Sequence, residues 1–190
     1  MNRLFVALDL PRYAKDSLAV MQQGLPDARW VDADMLHLTL AFLGEVDRPT
    51  FIDAMHGLAR VETRPFDLEL QGLGFFPNRG AVRQLWAGVR PEPELERLQR
   101  RVVRALADID VVVEKRRFVP HVTLARFRVP PPEPRLQAFL QRHSLFRLPP
   151  FPVSDFHLYS SWLGAGAAHY EIEASYELVP GLEPDAAARR

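Results

Sequence analysis

The sequence predicts an α+β fold with largely antiparallel sheets and two lobes related by an internal duplication. Three observations carry this expectation. Segments of helical period alternate with strand-like runs, but the crossovers are irregular and several runs read as hairpin-joined. The chain has 190 residues, enough for one sizeable domain or two small lobes sharing a core. A six-residue string in the first half also returns in the second.

The elements follow in order. Residues 3–8 read as a buried first strand, closed by Asp9, Leu10 and Pro11. Ala14, Leu18, Met21 and Leu25 give residues 12–25 a helical stripe. Trp30 and Val31 lead into a strand over 35–43 that ends at Gly44. A second helix is expected at 50–61, after Pro49. Residues 66–73 alternate as a strand, 75–80 read as a loop and 84–89 as a further strand. The second half opens on a helix at 92–106, with Leu95, Leu98, Val102, Ala105 and Leu106 on its apolar side. A short strand at 111–113, a strand within 117–127, a proline-rich connector at 129–134 and a helix at 134–143 follow. Strands at 151–160 and 170–178 flank a small-residue loop at 161–168. Residues 1–179 form a single bilobal domain on this reading, and 180–190 a disordered tail.

Composition narrows the function. Apolar residues make up 47% and charged residues 25%, the mix of a folded soluble chain. The 24 basic and 24 acidic side chains cancel, which argues against a tight grip on long duplex nucleic acid. Any nucleic-acid partner is therefore a short or terminal segment. All but two of the basic residues, Lys15 and Lys115, are arginine, in keeping with a GC-rich genome. No cysteine is present, which excludes disulfides, thiolate nucleophiles and cysteine-based metal sites. The N-terminal apolar run is too short for a signal peptide and no stretch is long enough to span a bilayer, so the cytoplasm is the expected location.

The repeated string carries the chemistry. His37-Leu38-Thr39-Leu40-Ala41-Phe42 recurs as His121-Val122-Thr123-Leu124-Ala125-Arg126, 84 residues later. Strand alternation places His37, Thr39 and Ala41 on one face and Leu38, Leu40 and Phe42 on the other. On this pattern the small Ala leaves room beside the imidazole and hydroxyl. The chain has only four Thr, and two of them follow a His by two places; chance would give this roughly half a per cent of the time. An imidazole titrates near pH 6.5, so one neutral and one protonated ring can serve as general base and general acid. The Thr hydroxyls can donate to phosphate oxygens. This suits in-line displacement at phosphorus with no metal and no cofactor. A zinc site would want His-x-His, His-Glu-x-x-His or added carboxylates, and neither copy has an acidic neighbour on its His face.

At these residues the chain resembles the 2H phosphoesterase superfamily, named for two His-x-Thr-x motifs. Within it the resemblance is to bacterial and archaeal RNA 2′,3′-cyclic phosphodiesterases, once described as 2′-5′ RNA ligases. It rests on Arg3-Leu4-Phe5-Val6-Ala7-Leu8, on His37 to Gly44, on Phe118 to Arg126 and on Tyr170-Glu171. The resemblance implies the bilobal 2H phosphoesterase fold, two mostly antiparallel sheets with outer helices in a pseudo-twofold arrangement around a central cleft that the two motifs face. It also implies hydrolysis of a 2′,3′-cyclic phosphate to a 2′-phosphate. It implies that His37 protonates the departing 3′ oxygen, that His121 activates water, and that Thr39, Thr123 and Arg126 hold the phosphate. Simple alternation sets Arg126 opposite His121, so a bulge or strand end near Ala125 is needed to redirect it. RNA ends, short oligonucleotides or cyclic nucleotides are the expected partners, with no membrane, and the chain is expected to be a monomer. The alternatives are another cyclic or 2′-5′ linked nucleotide, reversible 2′-5′ ligation, or a non-catalytic module that binds RNA ends.

The remaining candidates have plainer readings. His56 and His143 fit surface or helix-end positions, His157 a packed core and His169 a turn. Lys115, Arg116 and Arg117 form a solvated cluster or an RNA-attracting one. Phe5, Phe42 and Trp30 are possible base-stacking platforms, with core packing favoured for Phe5 and Phe42.

Overall fold

Among residues 2–78, 81–111, 113, 117–163 and 168–179, which the computed structural model describes, strands and helices alternate twice over. The order is β1 (Asn2–Asp9), α1 (Arg12–Val20), β2 (Ala28–Trp30), a 3₁₀ turn (Ala33–Met35), β3 (His37–Val46), α2 (Arg48–Leu58), β4 (Phe66–Leu68) and β5 (Leu70–Asn78). Then follow β6 (Ala81–Val89), α3 (Pro93–Ala107), β7 (His121–Phe127), α4 (Glu133–Arg142), β8 (Phe151–Val153), β9 (Asp155–Leu163) and β10 (Ala168–Glu177). The fold is α+β, and its two antiparallel sheets are unequal. One has eight strands, in the order β10-β9-β1-β3-β7-β6-β5 with β2 attached to β7; the other is the pair β4-β8.

The duplication is visible in the pairing. β3 and β7 meet antiparallel through one pair, Leu38 opposite Val122, the second residues of the two repeated strings. A local two-fold axis passes between directly opposed residues of an antiparallel ladder. It therefore maps one motif onto the other. The pair β1-β3 corresponds to the pair β6-β7, and each is extended by one further antiparallel strand: β9 on β1, β5 on β6. Leu38 and Val122 are both fully buried in the main core, as are Leu4, Leu8, Leu85 and Leu98. Each such side chain contributes about 1.5–3 kcal/mol through burial.

Local chemistry sets the element ends. The Asp47 carboxylate accepts from the Thr50 amide at 3.0 Å and opens α2. α1 stops at Val20, short of the expected 25, and Gly24 then turns the chain at φ 83°. The strand expected at 66–73 is broken at Glu69, a buried carboxylate that meets Arg90 at 3.1 Å and also Arg147. An ion pair at that point takes precedence over continuous alternation. Residues 75–78, expected in a loop, continue β5, with Phe75 opposite Leu85 and Phe76 opposite Gln84. Gly44 does not end β3. It sits at φ 76° beside a register shift, and the strand runs on to Val46. Val111 and Val113 are not in a strand. The run at 151–160 breaks at Ser154, while 161–163, expected in a loop, complete β9. The proposed tail at 180–190 and most of the loop before β10 lie outside the described residues.

Candidate active site

Both motifs carry the same irregularity. In the β1-β3 ladder Ala7 pairs with Thr39 and Val6 with Ala41, so Leu40 is an extra residue. In the β6-β7 ladder Trp86 pairs with Thr123 and Leu85 with Ala125, so Leu124 is extra. These are bulges at equivalent places, and each turns two successive side chains inward. Leu40 with Ala41, and Leu124 with Ala125, are buried in the core. The expectation that Ala41 and Ala125 make room beside the imidazoles is thereby corrected. The same bulge brings Arg126 onto the face of His121 and Thr123, and Phe42 onto that of His37 and Thr39. Phe42 is accordingly 45% exposed, not packed in the core. The bulge carbonyls are not left bare: Val31 N–H donates to Leu124 O at 2.9 Å, and the Gln22 and Gln99 amides lie 3.5 Å from Leu124 O and Leu40 O.

The two imidazoles therefore share one face of one sheet, on adjacent strands, each one residue from the Leu38–Val122 pair. The antiparallel register sets His37 across from Thr123 and His121 across from Thr39. Each ring is anchored in the same way. His37 Nδ1 lies 2.8 Å from Met35 O and His121 Nδ1 lies 2.7 Å from Val119 O, two residues upstream in both cases. A carbonyl only accepts, so Nδ1 carries the proton and Nε2 is the atom available for proton transfer.

The surroundings of the rings differ. His37 lies against Phe5 (ring centroids 4.9 Å), the edge of Tyr170 (5.4 Å) and Tyr159 (6.3 Å). Phe5, 3% exposed, belongs to a small apolar cluster with Ala7 and Tyr159, apart from the main core. Desolvation by burial lowers the His37 pKa to about 4, and the charges of Arg126 and His121 act in the same direction. The Met35 carbonyl and Asp9 oppose the shift. His121 instead has Phe76 at 4.9 Å, Trp86 at 6.1 Å and a polar partner, Gln84. Gln84 Nε2 lies 3.2 Å from His121 Nε2 and donates to Thr123 Oγ1 at 2.6 Å. Residue type alone gave no reason to single out Gln84; only the register, Gln84 opposite Arg126, reveals it.

The other candidates fall away from this pair. His157 is buried, between Ser175 Oγ at 2.9 Å and Asp155 Oδ1 at 3.1 Å, as a packed histidine should be. His143 caps the end of α4 against Phe139, and His56 lies in the last turn of α2. His169, expected in a turn, is inside β10 and stacks on Trp162. Trp30 packs against Phe139 and the main core. Of the basic cluster, Lys115 and Arg116 lie outside the described residues. Among the described residues no group of three or more His, Asp or Glu side chains could hold a metal ion, and no helix is long and apolar enough to cross a membrane.

Comparison with known proteins places this geometry. The model of the 2′-5′ RNA ligase superfamily matches residues 12–162. An RNA 2′,3′-cyclic phosphodiesterase of Archaeoglobus fulgidus is 32% identical, over 85% of this chain and 92% of that protein. One from Geobacillus stearothermophilus is 36% identical over 66% of this chain, a match spanning 42% of that longer protein. The crystal structure of E. coli LigT complexed with 3′-AMP superposes with a TM-score of 0.75 at 30% identity, covering 93% of this chain and 98% of that one.

Proposed function

From the premise that the chain belongs to the 2′-5′ RNA ligase superfamily, we propose that it is an RNA 2′,3′-cyclic phosphodiesterase, hydrolysing cyclic phosphate ends to 2′-phosphates without a metal or cofactor. The observation that supports this best is the pair of Nδ1-anchored imidazoles on one face, each with a Thr hydroxyl from the facing motif across the seam. Binding alone would need no such paired acid and base.

In this reading a cyclic phosphate sits over the Leu38–Val122 pair. Neutral His121 takes a proton from water through Nε2 as the water oxygen bonds to phosphorus. The P–O3′ bond breaks, and His37 gives a proton from Nε2 to O3′, leaving a 3′-hydroxyl and a 2′-phosphate. Thr39, Thr123 and Arg126 donate to the non-bridging oxygens as charge develops. In the free protein His37 is deprotonated near neutral pH, because its pKa is about 4. An anionic phosphate beside it favours the imidazolium and offsets the charge of Arg126, so substrate and proton arrive together. RNA ends are the natural partner of this monomeric, cytoplasmic enzyme.

The test is hydrolysis of an oligonucleotide ending in a 2′,3′-cyclic phosphate, with and without EDTA, and with product identification. A 2′-phosphate formed at the same rate in EDTA is expected. A 3′-phosphate would reverse the leaving oxygen, and activity lost to EDTA and restored by zinc would overturn the mechanism.

A further inference from the structure

Beyond the reacting phosphate, and resting on the reading above, we propose that Arg29, directly opposite Arg126, forms a second anion site, which holds the phosphodiester one nucleotide 5′ of the cyclic end. β2 pairs with β7 so that Arg29 lies directly opposite Arg126. Directly opposed residues of an antiparallel pair share a face. That face is the one presented by Gln84, which also pairs with Arg126 and reaches His121 and Thr123. Gln84, Arg126 and Arg29 thus form a row across β6, β7 and β2, next to the candidate catalytic pair.

The row is electrostatically incomplete. Like charges directly opposite each other on neighbouring strands are destabilising. Some arginines elsewhere meet counter-ions: Arg12 has Asp16 and Asp34, Arg64 and Arg97 have Glu94, Arg90 and Arg147 have Glu69. Among the described residues neither Arg29 nor Arg126 has an ion pair or a side-chain hydrogen bond, and both are exposed. The backbone beneath Arg29 is nevertheless fixed, because its neighbours Ala28 and Trp30 pack against the core. Two guanidiniums on directly opposed positions of adjacent strands, with no counter-ion among the described residues, suit an anion from outside the chain. A planar fork suits phosphate oxygens. Since a cyclic phosphate closes the 3′ end of an RNA, the only neighbouring phosphodiester lies on its 5′ side. Arg126, whose charge acts on His37, serves the reacting phosphate, and Arg29 across from it is left for this neighbour.

The site makes the substrate an oligonucleotide in preference to a cyclic mononucleotide. The experiment compares kcat/KM for a dinucleotide ending in a 2′,3′-cyclic phosphate with that for 2′,3′-cyclic AMP, in the wild type, Arg29→Gln and Arg29→Lys. Arg29→Gln is expected to lose about tenfold on the dinucleotide and less than twofold on cyclic AMP, with Arg29→Lys in between. The salt dependence of KM for the dinucleotide should flatten in Arg29→Gln. Its thermal midpoint should stay at or above that of the wild type, since a like-charge contact is relieved. Equal losses on the two substrates, no loss on the dinucleotide, or a lowered midpoint would each overturn the site while leaving wild-type turnover intact. A wild type that opens neither substrate is the separate failure of the underlying reading, and the site falls with it.

Discussion

Phe5 and Gln84 occupy equivalent places in the two strand pairs that carry the motifs, Phe5 opposite Phe42 in β1-β3 and Gln84 opposite Arg126 in β6-β7. The duplication that built two matching motifs was broken at these positions. At this position His37 meets a ring and His121 an amide. An apolar neighbour withdraws water from His37 and lowers its pKa; an amide can satisfy the Nε2 lone pair of a neutral His121. On the proposed assignment of His37 as acid and His121 as base, the distinction between them lies next to the motifs, not in them.

Gln84→Met keeps the volume and removes both hydrogen bonds. We expect kcat to fall about tenfold, with KM changed less, because the bonds orient His121 and Thr123 and do not bind substrate. Gln84→Glu sets a carboxylate near His121 and favours its protonated form, so the acid limb of the kcat profile should move to higher pH. A pH–rate series on the two variants decides this; parallel profiles would reduce Gln84 to a packing residue.

His37→Ala and His121→Ala should each cost about 10² to 10⁴ in rate on a cyclic-phosphate substrate. The two should part on an aryl phosphodiester, whose leaving oxygen needs no proton. There His37→Ala should recover most of the wild-type rate and His121→Ala should not. The reverse pattern would exchange their roles.

In the free protein the His37 ring should titrate near pH 4, and near its ordinary value once inorganic phosphate or a 2′-nucleotide is bound. Nitrogen-detected NMR of the imidazoles reads both states. A ligand-independent midpoint would mean that the phosphate does not reach His37.

The same shift ties stability to pH. The folded-state pKa of His37, about 4, lies below the unfolded value near 6.5, so between these limits the unfolded chain binds the extra proton. Stability is complete above pH 6.5 and declines as the pH falls towards 4, by about 3 kcal/mol at most. Urea denaturation from pH 7 to 4 should show the decline, and His37→Phe should remove this part of it.

Gly74 lies under the indole of Trp86, where an added Cβ would come within 2.2 Å of the ring. Trp86 in turn stands 6.1 Å from His121. Gly74→Ala should displace the indole, cost about 1–3 kcal/mol of stability and lower kcat. Thermal denaturation and turnover together check it; an unchanged kcat would show that Trp86 does not support the ring.

Much of this was legible in the sequence because the motif is doubled and period two holds as far as its third residue. His37, Thr39, His121 and Thr123 needed only that. Ala41, Phe42 and Arg126 lie beyond an extra residue, where alternation fails, and nothing in the string Leu-Ala distinguishes a bulge from a regular strand. Arg126 was singled out by resemblance, with a bulge near Ala125 named as the requirement; the bulge falls at Leu124. Gln84 and Arg29 were invisible for another reason. Their positions depend on which strands lie beside β7, a long-range property that local period does not encode. The break at Glu69 was hidden likewise, since its partners Arg90 and Arg147 are distant in the chain.

The extra leucines separate shape from orientation. Removing Leu124 would leave His121, Thr123 and Arg126 pointing to the same side, for a strand without it alternates correctly from His121 through to Phe127. What would vanish is the kink and added twist that an inserted residue imposes. A shortened strand of this kind would present every functional group on a flatter floor, making curvature itself a property that can be deleted one residue at a time.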